Sequence, residues 1–335
     1  MVWIMNQRTL GTHGPDVSAI GLGAMGMSDL YGPTDDGESI ATIHAAIDAG
    51  VSLIDTGDFY GSGRNELLIA RALKDRRRED VTISVKFGAL RDPAGGWGGL
   101  DTRPAAVKNF LANTLTRLGT DHVDIYRPTR LDADVAIEET VGAIGEMVQA
   151  GYVRHLGLSE VGADSLRRAA AVHPISDLQI EYSLLSRNLE AEILPAAREL
   201  GIGITAYGVL SRGLLSGHWS PRRELSSHDF RSISPRFQGE NLEHNLALVE
   251  RLRAVADAHD ATVAQVAIAW VLSRGDDIVA LVGARRRDRL HETLAAREIE
   301  LTAADLAAIA GAVPAGAAAG SRYAEALMGD LDSER

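Results

Sequence analysis

Eight short, β-branched apolar runs alternate along this chain with longer stretches of amphipathic pattern. Such alternation reads as repeated βα units. A strand covered on both faces needs a continuous apolar run, and its crossover needs a helix with one apolar stripe. Strands are expected at 19–23, 52–55, 81–86, 123–126, 153–158, 177–182, 203–207 and 278–282. Helical patterns lie at 38–50, 65–74, 103–118, 137–150, 165–171, 190–200, 241–259, 263–273 and 288–295. The helix at 103–118 has Pro104 as a start signal and Gly119 as a stop. Eight strand–helix repeats point to an α/β fold, a single (β/α)8 TIM barrel. An open doubly wound sheet alternates in the same way, so the count by itself leaves both open. Residues 11–14 look like the tip of an N-terminal β-hairpin capping the barrel bottom. Residues 301–313 form an extra C-terminal helix, and the Ala/Gly-rich segment 314–321 leads into an irregular tail. No linker or composition break divides the chain, so one domain is expected over residues 1–335.

Bulk properties narrow the function. Net charge is −12, which disfavours a general nucleic-acid-binding surface. No apolar run is long enough to span a bilayer, and the apolar start at residues 1–6 is too short for a signal peptide. There are no cysteines, so disulfides, thiolate metal sites and cysteine nucleophiles are excluded. That composition fits a cytoplasmic protein. None of the 10 histidines forms a metal-binding His-Glu-x-x-His helix, and no metal is indicated.

Gly21-Leu22-Gly23-Ala24-Met25-Gly26 matches the glycine pattern of dinucleotide-binding open sheets. That site requires a helix to begin at once, its N-terminus on the pyrophosphate. Here a loop follows, and helical periodicity resumes only near Glu38. The segment is read as a barrel strand followed by a βα loop.

Asp55, Tyr60 and Lys86 are the candidates for chemistry. Asp55 ends the run Leu53-Ile54-Asp55-Thr56, at the strand end that faces a barrel's active site. Tyr60 follows in the next loop. Alternation in Val81-Thr82-Ile83-Ser84-Val85-Lys86 puts the apolar residues on one face and Lys86 on the other, toward the barrel interior. A buried lysine needs a partner, which Asp55 can supply. A cation beside Tyr60 is expected to lower a phenol pKa that starts near ~10. Such a tyrosine could hand a proton to a carbonyl oxygen as hydride reaches the carbon.

Asp55-Thr56-Gly57-Asp58-Phe59-Tyr60-Gly61, followed by Asn65-Glu66, resembles the aldo-keto reductase signature D-T-A-x-x-Y-G-x-x-x-N-E. The resemblance continues through Gly21–Gly23, 153–159, 206–217 and 282–292. It implies a barrel that binds NADPH across its C-terminal face and reduces a small carbonyl substrate. Tyr60 would be the general acid, tuned by Lys86 and Asp55. Ser159 and Gln179 would hold the nicotinamide carboxamide, and Tyr207 would stack on the ring. The loop with Gly208, Leu210, Ser211, Gly213 and Leu215 would wrap the pyrophosphate. At the nucleotide end, beginning with Gly283, Arg285 and Arg289 would face the adenosine 2′-phosphate and Glu292 the adenine. Independently of the resemblance, the run Arg285-Arg286-Arg287-Asp288-Arg289 concentrates positive charge between a strand and its helix, where anions bind well.

Three positions depart from the pattern. Many members carry a catalytic histidine in a segment like D-x-Y-x-x-H-R; here the run is Asp124-Ile125-Tyr126-Arg127-Pro128-Thr129-Arg130, with Thr129 at that place. A threonine can donate a hydrogen bond but cannot become an imidazolium. Arg127 or Arg130 could supply positive charge instead. Glu160 replaces an asparagine after Ser159, and Thr293 replaces one after Glu292.

Met25, Tyr31, Phe59, Phe87 and Trp97 are the apolar candidates for the substrate pocket. The glycine-rich segment 92–99 could move over the site. The particular carbonyl and the oligomeric state stay open. Two other readings remain: an NADPH-binding redox-sensing or regulatory protein with slow turnover, motivated by Thr129, and an unrelated metal-dependent barrel, which would need convergent ligands at strand ends.

Overall fold

The computed structural model describes residues 6–28, 30–220, 222–226 and 229–335. The apolar start at residues 1–5 lies outside that range. The chain opens with an antiparallel hairpin, β1 (Gln7–Thr9) and β2 (Asp16–Ser18). Parallel strands then alternate with helices. They are β3 (Ile20–Gly23), α1 (Asp36–Asp48), β4 (Leu53–Gly57), α2 (Arg64–Leu73) and β5 (Thr82–Phe87). A small antiparallel pair, β6 (Ala89–Arg91) and β7 (Trp97–Leu100), precedes α3 (Pro104–Leu118), β8 (Val123–Pro128) and α4 (Ile137–Gln149). Next come β9 (Val153–Leu156), β10 (Leu158–Ser159), α5 (Ala163–Ala170), β11 (Asp177–Glu181), α6 (Ile193–Glu199) and β12 (Gly203–Tyr207). The chain ends with α7 (Gly239–Ala258), α8 (Val263–Leu272), β13 (Ile278–Gly283), α9 (Arg287–Leu294), α10 (Ala303–Ala312) and the short α11 (Glu325–Met328).

The strand order is β10-β11-β12-β13-β3-β4-β5-β8-β9. β9 and β10 are two halves of one stretch interrupted at Gly157, so the sheet closes on itself as a (β/α)8 TIM barrel. Closure settles the choice against an open sheet. Gly157 marks a close approach: a Cβ there would lie 2.7 Å from Asp177 Oδ1 and 3.1 Å from Arg127 Cζ.

Local signals behave as the sequence predicts. Pro104 opens α3, and Gly119 ends it with a left-handed φ of 66°. Thr262 and Gln265 form a reciprocal capping box on α8, as Thr302 and Asp305 do on α10. The hairpin closes the barrel bottom: Leu10 and Val17 pack with Leu53, Ile125 and Val279 inside it. Gly21 and Gly23 lie in β3, paired to β13 and β4. A 3-10 turn, Met25–Met27, follows, and the next helix waits until Asp36. The glycine pattern is therefore a barrel strand and its loop.

Two expectations need correction. The tail is not irregular throughout: it forms α11 and a 3-10 turn at Asp332–Glu334, and Leu331 is buried. The glycine-rich segment 92–99 is partly built into the β6–β7 hairpin. Among the described residues, no helix is long and apolar enough to cross a membrane.

Candidate active site

β4 and β5 run in parallel register, with Asp55 beside Ser84 and Gly57 beside Lys86. Alternation carries Asp55, Ser84 and Lys86 into the barrel mouth and leaves Ile83, Val85 and Phe87 in the apolar layer under the helices. Lys86 Nζ donates to Asp55 Oδ1 and, at 3.1 Å, to the Thr56 carbonyl. Asp55 Oδ2 accepts from Ser84 Oγ at 2.8 Å and from Gln179 Nε2 at 2.7 Å. Burying such a pair costs several kcal/mol per ion unless hydrogen bonds satisfy it, as they do here. Burial draws Lys86 below the ordinary lysine range, with Asp55 opposing.

Tyr60 starts a tight turn, Tyr60–Gly63, in which Gly61, Ser62 and Gly63 all take left-handed backbone. Its ring sits edge-on to Phe59 at 4.7 Å, and Lys86 Nζ lies 5.2 Å from its centroid. The three residues singled out for chemistry therefore meet. The expected direction of the tyrosine's pKa does not hold. Burial first, then Asp55, push the phenol well above the ordinary tyrosine range, while Arg130 pulls it down. Desolvating a phenolate outweighs the nearby cations, so Tyr60 keeps its proton.

Thr129 is buried just past β8, its amide donating to the Phe87 carbonyl at 2.8 Å. Its neighbours differ sharply. Arg127 is fully buried and bound to Asp177 at 2.9 Å and Ser84 Oγ at 3.0 Å. Asp177 also accepts from Thr205 Oγ1. Arg130 instead reaches the Thr129 carbonyl at 2.6 Å and the Tyr323 hydroxyl at 3.3 Å.

On the opposite wall, Ser159 Oγ is buried with no hydrogen-bond partner among the described residues. Gln179 is already committed to Asp55. The Tyr207 hydroxyl donates to Glu160 Oε1 at 2.7 Å and meets the Tyr323 hydroxyl at 2.9 Å. After Gly208 (φ 65°) and Leu210, three successive residues, Ser211, Arg212 and Gly213, have positive φ. Left-handed backbone at non-glycine residues concentrates at functional sites. Within this loop the Gly213 and Leu215 amides return to the Leu210 carbonyl, and the Leu215 side chain is buried in the core.

Past Gly283, which ends β13 beside Gly23, the arginine run divides. Arg286 is held by Asp288 and Arg287 by Glu38. Arg285 is half-buried and donates to the Tyr31 and Pro33 carbonyls at 3.1 and 3.4 Å. Arg289 is exposed and bonds Glu292 at 2.8 Å, and His218 also meets Glu292 at 2.9 Å.

Of the expected pocket residues, Phe59 packs on Tyr60 with Met25 alongside. Tyr31 is half-buried, with the Arg231 guanidinium 4.8 Å from its ring centroid. Trp97 is 47% exposed, 5.7 Å from Phe59. Phe87 lies elsewhere: it stacks on Tyr126 at 4.3 Å within the helix-facing core. Its parity with Val85 is the physical reason.

The sequence reading missed a second polar cluster over the mouth. Glu160, at φ 54°, accepts from both terminal nitrogens of Arg322, at 2.9 and 2.6 Å. Arg322 also bonds Glu334 at 2.7 Å. Glu181 lies between Arg212 and Arg236, 3.5 Å from each, and 3.4 Å from Arg322. The departure at Glu160 was its one visible signal.

Comparison with known proteins agrees with this geometry. The sequence profile described as "Aldo/keto reductase family" matches residues 19–314. A protein named "Probable aldo-keto reductase 1" from Glycine max is 40% identical, over 95% of this chain and 92% of its own. Among solved structures, a glycerol dehydrogenase from Gluconobacter oxydans has a TM-score of 0.83 at 28% identity, covering 91% of this chain and 94% of that one. A holo-form aldo-keto reductase from Bacillus halodurans has a TM-score of 0.76 at 28% identity, covering 93% and 97%. Profile, relative and fold agree with the aspartate–lysine–tyrosine mouth: the chain belongs to the aldo-keto reductase family, oxidoreductases of carbonyl compounds.

Proposed function

We propose that this protein reduces an aldehyde or ketone to the alcohol with NADPH, and that Tyr60 supplies the proton. The observation that carries the reading is a buried phenol beside the Lys86–Asp55 pair, its ring centroid 5.2 Å from Lys86 Nζ. The carbonyl carbon takes a hydride and its oxygen takes the Tyr60 proton, giving a hydroxyl. Lys86 would then steady the phenolate left behind, and Asp55 holds Lys86 in place.

Bound NADPH supplies the hydride. The residues present fit it. Ser159 Oγ is a buried, uncommitted hydroxyl suited to a carboxamide. Tyr207 offers a ring at the end of β12. The left-handed run from Ser211 to Gly213 makes a tight loop that would wrap the pyrophosphate. Arg285 and Arg289 would take the 2′-phosphate, and Glu292 the adenine; Arg289 would exchange its Glu292 contact for the phosphate. The threonine at position 129 favours the second reading, an NADPH-binding regulatory protein with slow turnover.

NADPH consumption with a panel of aldehydes and ketones separates these readings. Turnover that Tyr60→Phe removes supports the enzyme. Tight NADPH binding with no turnover supports the regulator. No NADPH binding defeats both.

A further inference from the structure

Most mouth arginines are already neutralised. Arg127 pairs with Asp177, Arg231 with Asp229, and Arg322 with Glu160 and Glu334. Arg212 and Arg236 share Glu181. Arg130 is different: among the described residues it forms no ion pair. Its two hydrogen bonds go to neutral oxygens, the Thr129 carbonyl and the Tyr323 hydroxyl. They leave much of the guanidinium fork uncommitted. Burial works against its charge, yet Tyr207, Tyr323 and Glu160 around it hold the guanidinium above the ordinary arginine range. An arginine does not shed its charge in a protein. A half-buried cation without a counterion is costly to keep, and in a chain of net charge −12 it is no general surface feature.

Its position is equally specific. Arg130 follows Thr129, which is smaller than the histidine of the resembling pattern. Its charge reaches Tyr60 and Lys86 directly enough to act on both. Tyr323, brought in by the C-terminal tail, links it to Tyr207: the hydroxyl stands 3.3 Å from Arg130 and 2.9 Å from the Tyr207 hydroxyl. Arg130 is therefore a neighbour of both the proposed proton donor and the proposed nicotinamide platform, where the rest of a substrate would extend beyond its carbonyl.

We propose that Arg130 anchors the substrate through a carboxylate carried close to the carbonyl, so that the enzyme selects oxo acids over neutral carbonyls of the same shape. The guanidinium fork matches a carboxylate in two parallel hydrogen bonds, which gives orientation as well as attraction. The positioning that an imidazole would provide at the carbonyl oxygen is then supplied from the other end of the substrate. This rests on the carbonyl-reductase reading above and names the substrate class of that same site.

The test compares each acid with its methyl ester, which keeps the skeleton and removes the charge. Succinate semialdehyde and pyruvate are the acids, read by kcat/KM with NADPH. The acids are expected to exceed their esters by roughly 10- to 100-fold, the worth of a hydrogen-bonded charge. Arg130→Met should bring the ratio near unity, chiefly through KM, and Arg130→Lys should keep part of it. Equal use of acid and ester by the wild type, or an unchanged ratio in Arg130→Met, overturns the anchor while leaving the reductase reading intact. No reduction of acids, esters or neutral aldehydes overturns both. If Arg130→Met does not fold, the wild-type ratio still decides.

Discussion

The Glu160 carboxylate takes two hydrogen bonds from the Arg322 guanidinium, at 2.9 and 2.6 Å, and so ties the tail to the end of β10. Both side chains are buried, and Tyr207 and Glu334 join them. The tail is thus held by charge as well as by the buried Leu331.

Breaking that pair should be expensive. Arg322→Met leaves the buried Glu160 carboxylate without its guanidinium, a loss of about 3–5 kcal/mol. Glu160→Gln costs less, because Arg322 keeps Glu334 and Glu181. The Glu160 carboxyl is held down at about 2: burial opposes this, but Arg322 prevails. A lowered carboxylate pKa contributes stability that is present above the ordinary glutamate range and fades as pH falls through the folded value. The gap in melting temperature between wild type and Glu160→Gln should therefore be full at neutral pH and shrink on acidification toward about 2. A constant gap across that range would contradict the latch.

Asp58 should titrate in the opposite sense. It is buried, and burial and then Glu66 push its pKa well above the ordinary aspartate range. For a raised acid, stability is present below the unfolded pKa of ~3.9 and is lost as pH rises through the folded value. Wild type should lose stability relative to Asp58→Asn as pH climbs out of the acid range. Thermal melts of both proteins across pH check this, and parallel curves would show that Asp58 does not carry its proton into the fold.

The barrel was legible because its strands stand out as short apolar runs between amphipathic helices. Where one side of a strand turns polar, as at residues 81–86, the two-residue period tells which side faces the helices. The same period puts Lys86 inside. It also placed Phe87 outside, beside Val85, although nearness to the strand end suggested a pocket residue. Strand ends ran further than apolarity marked them. Thr56 and Gly57 continue β4, while Arg127 and Pro128 continue β8. The mouth is polar, so hydropathy fades there while backbone pairing persists.

The tail was illegible for a different reason. Arg322 and Tyr323 follow an Ala/Gly-rich segment with no periodicity, and their partners Glu160, Arg130 and Tyr207 lie more than a hundred residues earlier. Only the closed barrel brings them together. The Tyr60 proton was misjudged because charge signs can be read from residue types, whereas burial cannot, and burial dominates its pKa.

Gly157 offers a test of the barrel seam. A methyl group there would press on Asp177 Oδ1 at 2.7 Å, on Arg127 Cζ at 3.1 Å and on Ile125. Overpacking a tight interior costs typically 1–3 kcal/mol, and here it would also strain the Arg127–Asp177 pair. Gly157→Ala should lower the unfolding free energy by that order, read as a lower denaturant midpoint. A wild-type midpoint would mean that β9 and β10 have room to separate.

Cofactor choice can be tested at Arg285. Its guanidinium is half-buried and rests on two backbone carbonyls, so it is oriented before any ligand arrives. Burial draws it below the ordinary arginine range, and the nearby Arg231 and Arg223 add crowding by like charge. An incoming phosphate would relieve that crowding, and NADH has none to offer at this end. Arg285→Ala should weaken NADPH binding by about tenfold or more, and NADH binding much less. Some loss with NADH is expected because the Tyr31 and Pro33 carbonyls lose their donor, so the ratio of the two Kd values is the deciding quantity. Fluorescence titration of both cofactors measures it, and equal losses would remove Arg285 from 2′-phosphate recognition.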